Sequence, residues 1–158
     1  FDRNDTLKDV LPDLFQKNQQ RYANMRIQDL SREMHQFFHA RDAATTSADV
    51  YGTIPDQALT PSAAFAAMVR GDVDRVPLEA VDGRVAAVMV VPYPPGIPVI
   101  MPGERFDCKR TPKLIEFLKL LADFDSAFPG FEHEVHGVTS DRDPSTGAVH
   151  YAVDCVRQ

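Results

Sequence analysis

Cysteine and long apolar runs are scarce in this sequence. Only two cysteines, Cys108 and Cys155, occur among its 158 residues, and one pair cannot define the disulfide framework of a chain this long. We therefore predict two buried free thiols. No apolar run approaches the ~18 residues that a membrane span needs. The first residues also lack the pattern of a signal peptide, so we expect a cytoplasmic protein with no membrane partner.

Positive charge is also in short supply. The chain has 17 Lys and Arg residues against 23 Asp and Glu residues, which gives a net charge of −6. Its basic residues are scattered along the sequence, whereas nucleic-acid binding needs them gathered into a patch or stripe. The sequence therefore predicts no nucleic-acid partner.

The composition that is present is that of one folded domain. With 44% hydrophobic and 25% charged residues, the chain resembles an ordinary globular protein, and its length allows one core. Its first residue is Phe1 and not methionine. We therefore expect a single domain over residues 1–158 that belongs to a longer polypeptide or has lost a segment.

Apolar spacing and capping residues predict helices in four places. The predicted helices cover residues 5–18, 21–43, 61–70 and 112–126. Pro12 is placed to delay or kink the first of them, whereas Thr60 and Thr111 each precede a proline in the pattern of a helix start. Gly71 is a suitable helix end, and the polar segment 44–59 predicts a surface crossing. The buried face of the last helix is predicted to consist of Leu114, Phe117, Leu118, Leu121 and Phe124.

Two segments have the patterns of strands. Residues 85–91 are apolar without alternation, which predicts a strand that is covered on both faces. Residues 149–155 alternate between apolar and polar side chains, which predicts a strand with one buried face. Residues 134–139 are expected to pair with it through a turn at 143–147. The sequence thus predicts an α+β fold with a small mixed or antiparallel sheet packed by several helices.

Prolines dominate the segment between residues 90 and 105. Five of the chain's twelve prolines lie between Pro92 and Pro102, and each fixes its own φ at about −65° and removes a backbone donor. Neither a helix nor a long interior strand can form there. Because its apolar side chains favour burial, we predict a rigid, ordered and mostly buried loop. The apolar side chains expected to be buried are those of Val90, Val91, Ile97, Val99, Ile100 and Met101.

This segment also carries a family resemblance. Residues 92–98, Pro-Tyr-Pro-Pro-Gly-Ile-Pro, and residues 101–104, Met-Pro-Gly-Glu, resemble the signature of the C-terminal domain of bacterial inducible ornithine/lysine/arginine decarboxylases. The family consists of large pyridoxal-phosphate (PLP) enzymes of the aspartate aminotransferase fold type. The flanking segments similar to its arginine-specific branch are residues 83–87, 128–131, 135–137 and 151–156.

The resemblance implies a domain that packs on the PLP-binding core of a larger decarboxylase and shapes its active-site entrance. Arginine is the expected substrate, with agmatine and carbon dioxide as products and a role in acid resistance. Lysine or ornithine decarboxylation is the alternative, as is a stand-alone binding or oligomerisation module derived from the domain. The expected partners are the rest of the decarboxylase chain, further copies in a homo-oligomer, and a small basic amino acid.

The PLP-binding machinery itself is not expected in this chain. The cofactor forms a Schiff base with a lysine, which in the family stands in a Ser-x-His-Lys context, and no histidine directly precedes a lysine here. A glycine-rich phosphate-binding loop is missing as well. We therefore predict no catalytic and no cofactor-binding residue, PLP only in the full-length enzyme, and no activity of this chain alone.

Two histidine pairs have spacings that suggest a metal site. His35 and His39 lie four residues apart on a predicted helix, a spacing that can hold zinc, but no third ligand accompanies them. His133 and His136 lie three residues apart, which places them on opposite faces of a strand. In both cases we favour a role without metal, so the sequence predicts no metal site.

Tyr93, Glu104 and Arg105 are the candidates for lining a substrate channel. Tyr93 stands between prolines and either lines the passage or packs under the loop. Glu104 leaves the rigid loop and either attracts a basic substrate, pairs with Arg105 or Arg84, or caps a turn. We favour the structural role for Glu104.

Overall fold

The computed structural model, which describes Asp2 and residues 4–158, combines α-helices with a three-stranded antiparallel sheet. Within these residues the α-helices are α1 (Leu7–Val10), α2 (Pro12–Lys17), α3 (Gln19–Tyr22), α4 (Ile27–Ala40), α5 (Ala43–Asp49), α6 (Pro61–Arg70) and α7 (Pro112–Ala127). The strands are β1 (Val73–Pro77), β2 (Val91–Tyr93), β3 (Glu134–His136), β4 (Val138–Arg142) and β5 (Val149–Val156). The strand order is β1-β5-β4, and β2 pairs with β3 in a separate ladder. The predicted α+β fold with a small antiparallel sheet is confirmed.

The central strand, β5, has the predicted alternation. Val149, Tyr151, Val153 and Cys155 are buried, and the residues between them are not. Antiparallel ladders join β5 to β1 on one side and to β4 on the other. Burial raises the pKa of the Cys155 thiol to about 11. The prediction of two buried thiols is wrong for Cys108, which is exposed because it lies in the loop before α7.

The predicted partner of β5, residues 134–139, is divided between two ladders. Its last two residues lie in β4, whereas Glu134–His136 forms β3 and pairs with β2. Gly137 separates the two strands with a φ of 80°, a left-handed conformation that favours glycine. A Cβ atom here would overlap the carbonyl oxygen of Met89. Glycine is therefore the residue type that fits at position 137, where the chain passes from one ladder to the other.

The first two predicted helices are interrupted. The helix predicted over 5–18 breaks at Leu11, which has φ −132° and ψ 64°, because the ring of Pro12 disfavours helical geometry at the preceding residue. The helix predicted over 21–43 breaks at Asn24, whose φ is 57°. Asparagine tolerates this left-handed conformation better than most residues, and α4 begins three residues later.

The segment 44–59 contains a helix that the sequence did not predict. The helix α5 covers its first part, while the rest runs as turns and extended chain. Thr45 donates a hydrogen bond to the Asp42 carboxylate at 2.8 Å next to the helix start, and Ala43 and Thr46 are buried. Because its buried residues are small, α5 lacks the large apolar periodicity on which the prediction depended.

The two helices predicted from Thr-Pro pairs are confirmed. The Thr60 hydroxyl accepts a hydrogen bond from the Ala63 amide at 3.2 Å, and Gly71 ends α6 with a φ of 76°. Thr111 stands at the same position before α7, but its hydroxyl donates to the Asp107 carbonyl at 2.9 Å. A proline at the first helical position thus marks both starts, whatever the threonine hydroxyl binds.

Residues 85–91 are mostly buried, as predicted, but they do not form a continuous strand. Single bridges connect this run to three different partners, in the pairs Val85 with Arg105, Ala86 with Cys155, and Val90 with Ile100. Only Val91 enters a ladder, at the start of β2. The strand prediction fails because the backbone partner changes along the run. The strand β1 was not predicted, since its short sequence Val-Asp-Arg-Val-Pro carries little periodic signal.

The core is built around α7. All five residues predicted for its inner face are buried, and they belong to one cluster with Val90, against which Val88 packs in part. Within that cluster Leu118 is fully buried. The prediction that α7 and the 88–90 segment share one core is confirmed.

Truncating Leu118 to alanine is expected to lower the free energy of unfolding by about 2–5 kcal/mol, because it removes buried methyl groups and leaves a cavity. Chemical denaturation of the purified protein measures the loss. Val69→Ala serves as the control, since Val69 is exposed on α6 and should change stability by no more than ~0.5 kcal/mol. Equal effects of the two substitutions would contradict the assignment of the core.

The hairpin turn between β4 and β5 is held by hydrogen bonds to the carboxylate of Asp143. Hydrogen bonds from the Ser145 hydroxyl and amide, and from the Thr146 amide, lower the pKa of Asp143 to about 2. The ionised carboxylate therefore supports the turn above its unfolded pKa of about 4, and this support is lost as the pH falls through about 2. An NMR titration of wild type and Ser145→Ala should show the pKa of Asp143 rising in the variant. An unchanged pKa would mean that Ser145 does not hold the turn.

Candidate functional site

The proline loop, residues 92–102, has a buried base and an exposed tip. The base is closed by backbone hydrogen bonds between Val90 and Ile100 at 3.0 Å and between Val99 and Val90 at 2.9 Å. The tip is open, since Ile97 is 50% exposed. Met101, which follows the base, is 39% exposed, so its predicted burial is wrong as well. The prediction of a mostly buried loop is therefore wrong at the tip. The prolines and the short base hold an apolar tip out from the core.

Tyr93 lies at this exposed tip, with 58% of its surface accessible. Gly96, with a φ of 79°, folds the chain back, and its amide donates to the Pro92 carbonyl at 2.9 Å. A Cβ atom on Gly96 would come within 3.2 Å of the Tyr93 ring. The ring thus lies over the turn and presents its outer face to the surroundings.

Glu104 caps the exit of the loop. Its carboxylate accepts a hydrogen bond from the Met101 amide at 2.7 Å. The two candidate arginines bind elsewhere, since Arg105 donates to the Gly83 carbonyl at 2.6 Å and Arg84 donates to Asp74 at 2.9 Å. Of the three roles considered for Glu104, the structure supports turn capping.

Gly103 attaches the loop exit to the segment before α6. Its carbonyl accepts hydrogen bonds from the amides of Ala58 at 2.8 Å and Leu59 at 2.9 Å. Its φ is 88°, and a Cβ atom would overlap the Leu59 carbonyl. This contact fixes the start of α6 against the proline loop.

An apolar groove of about 470 Å³ lies between the loop tip and the helices. Its lining consists of Phe38, Ala43, Ala44, Ser47, Tyr51, Pro94, Pro95, Phe117, Leu120, Leu121 and His133. The Tyr51 hydroxyl donates to the Ile97 carbonyl at 3.1 Å, which joins the end of α5 to the proline loop. The groove is therefore walled by elements that are fixed to one another.

A buried carboxylate lies behind this groove. Asp125 on α7 is only 1% exposed and accepts hydrogen bonds from the Tyr151 hydroxyl at 2.5 Å and the His133 amide at 2.9 Å. His133 Nδ1 lies 2.9 Å from the same carboxylate. Burial and the neighbouring Asp125 raise the pKa of Tyr151. The three side chains form a fixed polar network inside the domain.

The sequence analysis missed Asp125, although a signal was present. Asp125 follows Leu121 by four residues and Leu118 by seven, which places it on the buried face of α7. A charged residue at such a position is almost never fully buried unless it is paired. Its partners come from β5 and from the loop before β3, so their identity was not readable from helix spacing.

The two histidine pairs that suggest a metal site make different contacts. The rings of His35 and His39 are 6.4 Å apart, and His133 is engaged with Asp125. Among Asp2 and residues 4–158, no three His, Cys, Asp or Glu side chains gather in a way that could hold a metal ion. Over the same residues, no helix combines the length and the apolar character of a membrane span.

The residues present do not fit a PLP site. Four of the five lysines are exposed, and Lys113, the partly buried one, forms an ion pair with Glu116 at 2.7 Å. A Schiff-base lysine needs a pocket that holds the cofactor and shields it from water. Lys109 and Lys113 line a surface cleft beside Arg110, but Lys109 is exposed and Lys113 is ion-paired, so no step of PLP chemistry is assigned to this chain.

Comparison with known proteins identifies relatives of the whole chain. The family model described as "Orn/Lys/Arg decarboxylase, C-terminal domain" matches residues 44–157. Lysine decarboxylase LdcA of Pseudomonas aeruginosa is 41% identical over 158 residues, which are 100% of this chain and 21% of LdcA. Its solved structure superimposes with a TM-score of 0.85 over 98% of this chain and 20% of that chain.

Two further relatives come from Escherichia coli K12. The constitutive lysine decarboxylase is 37% identical over 143 residues, 90% of this chain and 20% of the relative. The biodegradative arginine decarboxylase is 38% identical over 137 residues, 87% of this chain and 18% of the relative. The expected placement in the arginine-specific branch is not supported, because lysine decarboxylase LdcA matches with higher identity and over more residues than the arginine decarboxylase does.

The chain thus spans about a fifth of the length of the relatives it matches. The proline loop that suggested the family, the matched residues 44–157 and the similarity of the backbone all agree. On these grounds the chain belongs to the family of C-terminal domains of the Orn/Lys/Arg decarboxylases.

Proposed function

We propose that this chain is the C-terminal domain of a PLP-dependent decarboxylase that acts on a basic amino acid. The observation that carries the proposal is the 41% identity to a lysine decarboxylase over the whole chain. In such an enzyme PLP supplies the electron sink for loss of carbon dioxide. That chemistry takes place in the part of the polypeptide that this chain does not contain.

For the substrate, lysine has the better support. The relatives with the highest coverage are named as lysine decarboxylases, whereas relatives named for arginine and ornithine match over fewer residues. The initial expectation of arginine is therefore kept as the second candidate. Assays of carbon dioxide release from lysine, arginine and ornithine by the full-length enzyme will decide between them.

The role proposed for the domain is to pack on the catalytic core and to shape the entrance to its active site. The proline loop supports this role because its exposed tip is held rigidly. Within the loop, Tyr93 is the candidate for contact with the incoming substrate. Glu104 and Arg105 are assigned a positioning role, since their hydrogen bonds fix the loop exit.

Tyr93→Ala in the full-length enzyme should raise KM several-fold and leave kcat nearly unchanged, because the ring would contact substrate before and not during the chemical step. Phe65→Ala is the matched control, since Phe65 is an equally exposed aromatic on α6 and should change neither constant. Steady-state kinetics at saturating PLP measure both. An unchanged KM in Tyr93→Ala would remove Tyr93 from the entrance.

The proposed function as a whole is tested by comparing the full-length polypeptide with the isolated chain. The full-length protein is expected to release carbon dioxide from a basic amino acid and to show PLP absorbance. The isolated chain is expected to show neither, because its lysines are exposed or, at Lys113, paired with Glu116. Carbon dioxide release by the isolated chain, or none by the PLP-loaded full-length protein, would overturn the proposal.

A further inference from the structure

We propose that the apolar groove is a docking surface for the decarboxylase polypeptide outside this domain, and that His133 is the polar anchor of that contact. The inference rests on the proposed function, because it takes the occupant from the remainder of the longer enzyme. The occupant is a segment that presents apolar side chains together with one hydrogen-bonding group.

The lining of the groove favours an apolar partner. Its residues carry no Asp, Glu, Lys or Arg, and large apolar side chains at its edges remain exposed, among them Phe38, Tyr51 and Ile97. The exposed apolar surface continues from the groove onto the loop tip at Tyr93. A contiguous apolar surface of this kind marks an interaction site in a folded protein.

The groove is also preformed. Phe38 stacks on Phe124 with ring centroids 5.0 Å apart, and Tyr51 is tied to the proline loop through the Ile97 carbonyl. The floor is the buried face of α7, which cannot move without disturbing the core. Rigid walls reduce the entropy that docking would otherwise cost.

His133 is a polar group in this apolar lining, and the buried Asp125 holds its ring in place. Its amide and its Nδ1 both face the Asp125 carboxylate at 2.9 Å, so the ring orientation is set. Among the described residues its second nitrogen, Nε2, has no hydrogen-bond partner, and the side chain is 24% exposed. A few fixed polar groups in an apolar surface are what gives a binding site its specificity.

The remainder of the enzyme is a better occupant than a second copy of this domain. The chain covers only 20–21% of the relatives with the highest coverage, so most of their length has no counterpart here. In a two-fold dimer each groove would have to be filled by a protruding element of the other copy, whereas the remainder of the polypeptide is joined to this domain and is therefore present at a high effective concentration. A convex segment from the other part of the polypeptide fits the groove instead.

The test uses thiol labelling of the full-length enzyme, with Cys108→Ser as the background. Ser47→Cys places a probe in the groove on α5, and Ser62→Cys places a control on the exposed start of α6. For each variant, the rate of maleimide labelling in the native protein is divided by the rate in the denatured protein. This ratio should be about 10-fold or more lower for Ser47→Cys than for Ser62→Cys. Peptide mass spectrometry assigns the labelled cysteine.

His133→Asn tests the anchor. Asparagine can keep a donor close to the Nδ1 position and so preserve the bond to Asp125, while Nε2 is lost. Labelling of the Ser47→Cys site should become about 5-fold faster, the effect of losing one hydrogen bond. His39→Asn, on the exposed end of α4, should leave labelling unchanged. No acceleration in His133→Asn would overturn the anchor role.

The labelling results distinguish failure of the proposed docking surface from failure of the proposed decarboxylase function. Equal labelling of the Ser47→Cys and Ser62→Cys sites in an enzyme that releases carbon dioxide would overturn the docking surface alone. Protection of Ser47→Cys in a protein that lacks decarboxylase activity would overturn the proposed function instead. Protection that disappears on dilution into monomers would identify a second copy as the occupant and contradict the proposal.

Discussion

Asp125→Ala is expected to lower the free energy of unfolding by about 3–5 kcal/mol, one of the two largest losses that we expect from a single substitution. The substitution removes the acceptor of the Tyr151 hydroxyl and of the His133 amide and ring. Those donors would remain in a buried region without partners, and unpaired buried polar groups are costly. Urea denaturation monitored by circular dichroism measures the effect.

Asp123→Ala is the matched control, on the same helix two residues earlier. Asp123 is exposed and forms an ion pair with Arg41 at 3.5 Å, so its removal should cost only about 0–1 kcal/mol. Tyr151→Phe should fall between the two, since it removes one donor and leaves the carboxylate with His133. If Asp125→Ala and Asp123→Ala were equally stable, the buried network would not be holding α7 to β5.

Gly103→Ala is expected to cost about 3–5 kcal/mol, near the upper end of what single substitutions do. A φ of 88° is unfavourable for alanine, and the added Cβ would overlap the backbone of Leu59. Relief of that overlap requires the segment before α6 to move away from the loop exit. The two hydrogen bonds that the Gly103 carbonyl accepts would then be lost.

Gly83→Ala separates the cost of the left-handed backbone conformation from the cost of the overlap with Leu59. Gly83 has a similar φ of 77°, but a Cβ atom there would meet nothing within 4 Å. Only the left-handed conformation is then unfavourable, at about 1–2 kcal/mol. Thermal or urea denaturation of both variants gives the comparison, and losses of equal size would show that the close approach to Leu59 does not contribute.

The sequence predicted best those elements whose signal is local. The starts of α6 and α7 were predicted from Thr-Pro pairs, and β5 was predicted from strict alternation. These features are set by residues within a few positions of one another. The break before Pro12 was predicted from the proline itself, whereas the break at Asn24 depends on a backbone preference that apolar spacing does not include.

The features that the sequence did not predict depend on distant partners. Residues 85–91 are apolar enough for a strand, yet their single bridges alternate between residues 100–105 and Cys155. The groove requires α5, α7 and the proline loop to come together, and no spacing within one element reveals that. Asp125 was detectable in principle as a charge on an apolar face, whereas its pairing with His133 and Tyr151 is a property of the tertiary structure.

The position of β5 has a consequence for the order of folding. β5 is the last strand in chain order and the middle strand of its sheet. β1 therefore cannot form its ladder until β5 is present, about 77 residues later in the sequence, as in the pair Val76 and Val153. Contacts this far apart in sequence slow folding. During synthesis, the edge of β1 remains open until β5 has left the ribosome, and unpaired strands are prone to aggregate in that interval. Nascent chains arrested before Val149 should therefore be cleaved readily by protease at residues 73–77, and chains from which Val149–Val156 has emerged should resist it.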